Sequence, residues 1–346
     1  MERVRQVDGL RCLVTGSAGF VGSNLVRALL ARGCMVHGFD RAPAPFDAPN
    51  LHWYRGDVRA EEALRAACEK VDTIFHTAAM IETLTYAPKA FAELVRSVNI
   101  EGTRTILRVA QESGVRRFIH TSSIITAFGE EHHGVSEATR YSTASDLYSS
   151  TKVASEQLVL ASNGESGLLT SAIRPGGIYG PGERKTLIGP LMKALKQGAP
   201  LVLFGDGSTR MDYTYIDNLV DAQIRAAERL VEGSPVCGEA YFVTDGDPIN
   251  TGAFSQTLIN DMGIDARSIR LPGLVGRALA TAGERVFQVF GKPKPPVSIV
   301  DIQLCVRDNY FSIAKARRDL AYHPVVDTRE GLRRTAQDAR EFYDSL

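Results

Sequence analysis

Leu13-Val14-Thr15-Gly16-Ser17-Ala18-Gly19-Phe20-Val21-Gly22 decides the fold. An apolar run ends in three glycines spaced three apart, and an apolar-periodic segment follows from Val21 to Leu30. A second apolar run, Met35 to Phe39, ends in Asp40. A dinucleotide site requires a strand, a backbone turn bare enough for a pyrophosphate to approach, and a helix N-terminus aimed at it. Asp40 lies 18 residues past Gly22, where a carboxylate accepts hydrogen bonds from the adenosine ribose hydroxyls. It repels a 2′-phosphate, so NAD is favoured over NADP, with Arg41 beside it pulling the other way. The spacing is G-x-x-G-x-x-G rather than the usual G-x-G-x-x-G. The flanking strand, helix and acid therefore carry the reading.

The chain has 346 residues, 44% of them hydrophobic, enough for one large domain or two modest ones with a sizeable core. Lys plus Arg is 40 and Asp plus Glu is 40. That balance leaves no global field to draw nucleic acid or an anionic membrane, and no basic block with interleaved aromatics exists, so no nucleic-acid partner is expected. Cys12, Cys34, Cys68, Cys237 and Cys305 lie far apart and form no C-x-x-C pair. This points to free thiols in a reducing cytoplasm, without zinc or a disulfide framework. Neighbouring His132 and His133 lack a third ligand, so no metal is expected. The first strand begins within about ten residues with no secretory pattern before it, and no run of ~18 uncharged apolar residues is present. Leu271 to Phe290 is mostly apolar but carries Arg277, Glu284 and Arg285. It reads as soluble helix, with a cavity cap or peripheral membrane contact as the other readings.

Strands are predicted at Arg11–Thr15, Met35–Asp40, Leu51–Tyr54, Thr73–His76, Phe118–Thr121 and Leu169–Arg174. The predicted helices between them are Val21–Ala31, Glu61–Glu69, Lys89–Ser113 and Asp146–Ala161. Such alternation implies an α/β fold, a Rossmann-type doubly wound parallel sheet with the ligand at the strands' carboxyl ends. Gly56-Asp57-Val58 and Thr77-Ala78-Ala79 follow strands and are expected to edge the cofactor groove. After Pro175 the rhythm breaks at Gly176-Gly177, Gly180-Pro181-Gly182 and Gly205-Asp206-Gly207. Helices at about Leu187–Lys196, Asp217–Val231 and Ala253–Met262 and a strand near Ala240–Thr244 follow. The division expected is an NAD-binding domain over 1–175 and a smaller C-terminal α/β substrate-binding lobe over 176–346, with room for chain crossings between them.

Tyr148-Ser149-Ser150-Thr151-Lys152 places a phenol and an ammonium at i and i+4, on one helix face. A free phenol, with a pKa near ~10, is a poor base at neutral pH; a cation beside it favours the phenolate. Tyr148 then removes an alcohol's proton while its carbon gives hydride to the cofactor, and Lys152 has nicotinamide ribose hydroxyls to bind as a second task. The strand ending His120-Thr121-Ser122-Ser123 offers a hydroxyl for the substrate oxygen, Ser123 first and Ser122 second. Asn99 sits inside a predicted helix, where Asn is not favoured. It either binds a water relaying protons to Lys152 or marks a helix distortion.

At these residues the chain resembles an extended short-chain dehydrogenase/reductase, on Thr15-Gly16-x-x-Gly19-x-x-Gly22, Asp57-Val58, Asn99, Ser122-Ser123, Tyr148-x-x-x-Lys152 and Arg174-Pro175-x-x-Ile178-Tyr179-Gly180-Pro181-Gly182. Within that superfamily it is most similar to the 3β-hydroxysteroid dehydrogenase group, including sterol-4-carboxylate 3-dehydrogenases and bacterial cholesterol-type dehydrogenases. Ile74–Ile81, Ala240–Ile249, Asp308–Ser312 and Ala314–Pro324 carry that narrower match. The resemblance implies NAD-dependent oxidation of a 3β-hydroxysteroid or sterol to the 3-ketone, with Tyr148, Lys152 and a serine of the pair as catalytic triad. It implies NAD held by the Gly16–Gly22 loop and Asp40, with Phe20, Val21, Arg41, Pro175, Gly177 and Ile178 among the cofactor contacts. It further implies a steroid between the two halves, and a homodimer through Lys89–Ser113 and Asp146–Ala161. The family's ring-isomerising members carry paired acids near Asp245-Gly246; Gly246 here argues against isomerase activity. Gly205 to Asp217 also looks like nucleotide-sugar epimerases and dehydratases, in which an arginine at the place of Arg210 pairs with the substrate pyrophosphate. In a steroid enzyme Arg210 is expected in a surface ion pair instead. An NAD-dependent nucleotide-sugar epimerase or dehydratase is therefore the alternative, and an NAD-binding scaffold without activity the third reading.

Overall fold

Seven parallel strands make the central sheet of the computed structural model, which describes residues 6–128 and 132–346. Their spatial order is Glu239–Val243, Leu169–Pro175, Arg117–Thr121, Thr73–His76, Arg11–Thr15, Met35–Asp40 and Leu51–Arg55. The chain leaves Arg11–Thr15 toward Met35–Asp40 on one side and returns as Thr73–His76 on the other, with Thr15 in register with both Phe39 and His76. Connections diverging from one strand open a crevice at its carboxyl end, where a ligand binds in such sheets.

Both faces of the sheet are covered, so its strands are buried rather than alternating apolar and polar. Leu13 packs with Leu64, Ile106 and Phe118 on one face. Cys12 and Val14 turn to the other, against Leu25, Leu29 and Leu219, as the two-residue repeat of a strand requires. The helix Phe20–Ala31 buries Leu25, Val26 and Leu29 and so leads directly from the glycine turn onto the sheet.

The stretch expected as one helix, Lys89–Ser113, runs Lys89–Arg96 and Gly102–Glu112 with a π-helical turn, Ser97–Glu101, between them. Asn99 lies in that turn. Gly102 lets it approach the sheet, because a Cβ there would sit 2.6 Å from Val58 Cγ2.

Residues beyond 175 cross back. Glu239–Val243 is the edge strand of the large sheet, in register with Ser171–Pro175. The helix Ile216–Arg229 packs against it from behind, where Gln223 Nε2 donates to Thr121 Oγ1 at 2.9 Å. The remaining lobe contains short sheets, including Tyr213–Tyr215 against Gly177–Tyr179 and Ser268–Leu271 against Leu201–Phe204. Leu271 ends that last strand, and the helix begins at Gly273 and runs to Phe290. Its outward side exposes Leu274, Leu279, Val289 and Phe290, whereas Glu284 is fully buried. Glu284 accepts the amides of Thr85, Tyr86 and Ile299, each at 2.8 Å. It thereby fastens the loop after strand Thr73–His76 to the lobe's helices.

Among the described residues no helix is long and apolar enough to cross a membrane, and no group of three His, Cys, Asp or Glu side chains is placed to hold a metal.

Candidate active site

Gly16 turns the chain at φ +70°, and a Cβ on it would lie 2.8 Å from the Ala78 amide. Glycine is the residue that this conformation and this approach both require. Gly22 is a packing glycine: its Cβ would lie 2.2 Å from Gly16 O. No side chain caps the helix Phe20–Ala31, and its first turn holds no acid. Its first internal bond is Ser23 N to Gly19 O at 2.9 Å, so the amides of Phe20, Val21 and Gly22 are unclaimed by the helix. Such a helix end fits a pyrophosphate. Asp40 receives Ala18 N at 3.0 Å on Oδ2 and Ala42 N at 2.9 Å on Oδ1. The carboxylate is thus fixed, with lone pairs left for ribose hydroxyls.

Gly16, Gly19, Asp40, Arg41, Asp57, Val58, Thr77, Ala78 and Ala79 line one groove of about 490 Å³. Arg59 chelates Asp57, with Nη2 to Oδ2 at 2.7 Å, and holds its carboxyl below the usual range. Arg41 stands at the mouth, 72% exposed and 3.9 Å from Asp57. The expected contacts Pro175, Gly177 and Ile178 are not in this wall. Pro175 ends its strand beside Val243, and Gly177 and Ile178 pair with Tyr213 and Thr214. Gly177 serves packing, since a Cβ there would meet the Tyr213 ring at 3.0 Å. Phe20, Val21 and Gly22 are likewise not in the wall, and they face the groove only through the helix end. Met80, Val98 and Lys185 line the groove and were not anticipated.

Tyr148 stands in the first turn of Leu147–Ala161, whose N-cap Asp146 accepts the Ser149 amide at 2.8 Å. Its ring packs with Ile125, Phe128, Val300 and Leu304. Burial pushes the phenol up to about 12, opposed by a hydrogen bond with Ser123 and aided by the charge of Asp146. Ser123 is therefore the serine beside the phenol. Its Oγ also accepts the Ile125 amide at 3.2 Å. The Ser122 hydroxyl is buried with no hydrogen-bond partner among the described residues.

Lys152 follows Tyr148 by one helical turn, and its ammonium reaches back to the strand before the helix. Its Nζ donates to Thr121 O at 2.6 Å, and burial pulls it down to about 8 against the pull of Glu156. Two buried histidines stack nearby, with His76 and His120 ring centres 5.5 Å apart. Burial holds His76 near 3 and His120 well below its ordinary value, so both stay neutral. Glu156 is held by Arg174 in a fully buried pair, Nη2 to Oε1 at 2.5 Å. Removing either partner would strand a buried charge at a cost of about 3–5 kcal/mol.

Asn99 lies in the distorted turn, and its side chain is held by protein. Its Nδ2 donates to Met80 O at 2.9 Å and Thr151 Oγ1 at 3.0 Å, and its Oδ1 accepts Met80 N at 2.8 Å. Both side-chain amide hydrogens are thus engaged by protein. The π turn places Asn99 so that it ties the groove's Met80 to the helix bearing Tyr148.

Asp245 is buried and receives Tyr179 Oη, Tyr215 N and Asn218 Nδ2 at 2.7–2.9 Å. Arg210 lies 4.5 Å above the Tyr310 ring, donates to Tyr310 Oη at 2.7 Å and stands 3.9 Å from Asp308. Arg210 is thus paired at the surface, half-exposed.

A profile of the 3-beta hydroxysteroid dehydrogenase/isomerase family matches residues 13–273. The chain is 41% identical over 332 residues to the 3 beta-hydroxysteroid dehydrogenase/Delta 5→4-isomerase of Mycobacterium tuberculosis, covering 93% of this chain and 88% of that one. It is 37% identical over 341 residues to the 3-beta-hydroxysteroid dehydrogenase of Mycolicibacterium neoaurum, covering 97% and 93%. Among solved structures it resembles MoeE5 in complex with UDP-glucuronic acid and NAD at 25% identity. That TM-score is 0.77, over 97% of this chain and 100% of that one.

Proposed function

The chain belongs to the 3-beta hydroxysteroid dehydrogenase/isomerase family, and from that premise we propose that it oxidises the 3β-hydroxyl of a steroid or sterol to the ketone with NAD. The observation that carries this reading is the Tyr148 phenol, with the Ser123 hydroxyl close enough to lower its pKa, set against the apolar cluster of Ile125, Phe128 and Val300. A polar pair in apolar surroundings suits one hydroxyl on a hydrocarbon skeleton. The pairing of Arg210 with Tyr310 and Asp308 speaks for the same class and against a sugar nucleotide.

NAD, when bound, accepts the hydrogen that leaves the carbinol carbon as hydride. Gly16, Gly19 and the amides after them hold its pyrophosphate, and Asp40 its adenosine ribose. Ser123 holds the substrate oxygen, and Tyr148 takes the hydroxyl proton. Lys152, one helical turn on, is lowered by burial to about 8, close enough to neutral pH to take up the proton that Tyr148 passes on. No step is assigned to Asp245, whose carboxylate is taken up by three protein donors.

The same reading makes the protein a cytoplasmic homodimer, paired through the helices Lys89–Glu112 and Leu147–Ala161. Those helices pack side by side, and all five cysteines are free. The exposed apolar side chains of Gly273–Phe290, with Arg277 and Arg285 among them, support peripheral contact with a sterol-bearing membrane. A panel of 3β-hydroxysteroids and UDP- or dTDP-sugars with NAD, read by NADH formation and product mass, tests the function. NADH and a 3-ketone from steroids alone support it. A sugar product with NAD recycled overturns it.

A further inference from the structure

Lys185 alone brings residues beyond 175 into the wall of the cofactor groove. The two residues before it are anchored. Glu183, buried, accepts the amides of Lys185, Thr186, Leu187 and Ile188 at 2.6–2.8 Å. Burial would raise that carboxyl, but those amides outweigh it and keep it below its ordinary value, hence charged. Arg184 is clamped to Asp338 of the C-terminal helix, with Nη2 to Oδ1 at 2.8 Å, and stacks over Phe342. The backbone around residue 185 is therefore fixed by two independent contacts, and the Lys185 side chain is exposed and faces the groove.

We propose that Lys185 binds the pyrophosphate of NAD, closing from the lobe's side a site whose other side is the glycine turn. The proposal rests on the NAD reading above and adds a residue to it. The Gly16–Gly19 turn and helix end offer amides and a partial dipole, but no full positive charge. Arg41, the wall's other cation, stands at the mouth beside Asp57. A dianion lying on uncharged amides gains most from an ammonium on its open side. Because residue 185 is fixed to the C-terminal helix through Arg184, cofactor binding also joins the lobe to the sheet domain. Lys185 marks where the two halves meet over the ligand.

Calorimetric titration of the full-length protein with ADP-ribose, NAD and adenosine tests this without turnover. Lys185→Ala is expected to weaken ADP-ribose and NAD roughly five- to tenfold and to leave adenosine unchanged. Lys185→Arg should keep ADP-ribose within about twofold of wild type. Equal ADP-ribose affinity in Lys185→Ala and wild type overturns the assignment, as does an equal loss for adenosine, which would point to groove shape rather than phosphate. Failure of the wild-type protein to bind ADP-ribose at all overturns the NAD reading together with it.

Discussion

Met80 and Asn99 grip each other twice: the Met80 amide donates to Asn99 Oδ1 at 2.8 Å, and Asn99 Nδ2 donates to Met80 O at 2.9 Å. The second amide hydrogen reaches Thr151 Oγ1, three residues after Tyr148. One side chain in a π turn thereby holds the inner end of the cofactor groove against the catalytic helix. Asn99→Ala leaves the half-buried Met80 amide and carbonyl without their side-chain partner. A loss of about 3 kcal/mol in unfolding free energy is expected, together with weaker NAD binding. Urea denaturation and cofactor titration of the variant check both, and unchanged values in both would remove Asn99 from this role.

Asp40, proposed to receive the adenosine ribose, has both oxygens already fixed by Ala18 and Ala42. Asp40→Ser removes the charge that repels a 2′-phosphate while keeping a hydrogen-bonding group. The ratio of kcat/KM for NAD to that for NADP should fall by tenfold or more, since a charged hydrogen bond of about 1.5–3 kcal/mol is involved. Steady-state kinetics with the two cofactors read it directly. An unchanged ratio would mean that another residue chooses the cofactor.

A general base works deprotonated, so alcohol oxidation must speed up as pH rises toward the pKa of the group that governs it. Burial sets Lys152 at about 8 and Tyr148 at about 12. The kcat/KM for oxidation should therefore climb between pH 6 and 8, by roughly tenfold per unit on its steep limb, and stay high above. Ketone reduction with NADH, which needs the proton in place, should weaken across the same range. A profile for oxidation that falls with pH would contradict the assigned base.

Arg210→Ala removes a guanidinium that here meets Tyr310 and Asp308. Steroid turnover should change by less than about threefold, the scale of a surface pair. A loss of several hundredfold, or sugar-nucleotide binding in wild type that vanishes in the variant, would return the epimerase reading.

The sheet, the glycine turn and the acid at Asp40 were legible because each is a local pattern: an apolar run, a helical period, a residue at a strand's end. The strand boundaries at Arg11–Thr15, Met35–Asp40 and Thr73–His76 came out at the residues observed. What the sequence hid depends on contacts between distant segments. The π turn at Ser97–Glu101 arises where Asn99 meets Met80, which no helical periodicity records. Met80, Val98 and Lys185 enter the groove from three separate elements. Gly177 and Ile178, expected as cofactor contacts by motif, also pair with Tyr213 and Thr214 in a short ribbon that no local pattern announces. The choice between Ser122 and Ser123 was likewise a matter of side-chain direction, since consecutive residues at a strand's end point opposite ways. The i, i+4 spacing brings Lys152 to the helix face of Tyr148 without revealing that Thr121 O accepts a hydrogen bond from its ammonium.

The most direct test is single-turnover mixing of the Tyr148→Phe variant with NAD and a 3β-hydroxysteroid, following NADH absorbance, alongside NAD titration of the same protein. Loss of the phenol should slow NADH formation by at least a thousandfold, a general-base contribution of roughly 10²–10⁴, with NAD affinity within about twofold of wild type. NADH appearing at the wild-type rate would show that some other group takes the proton.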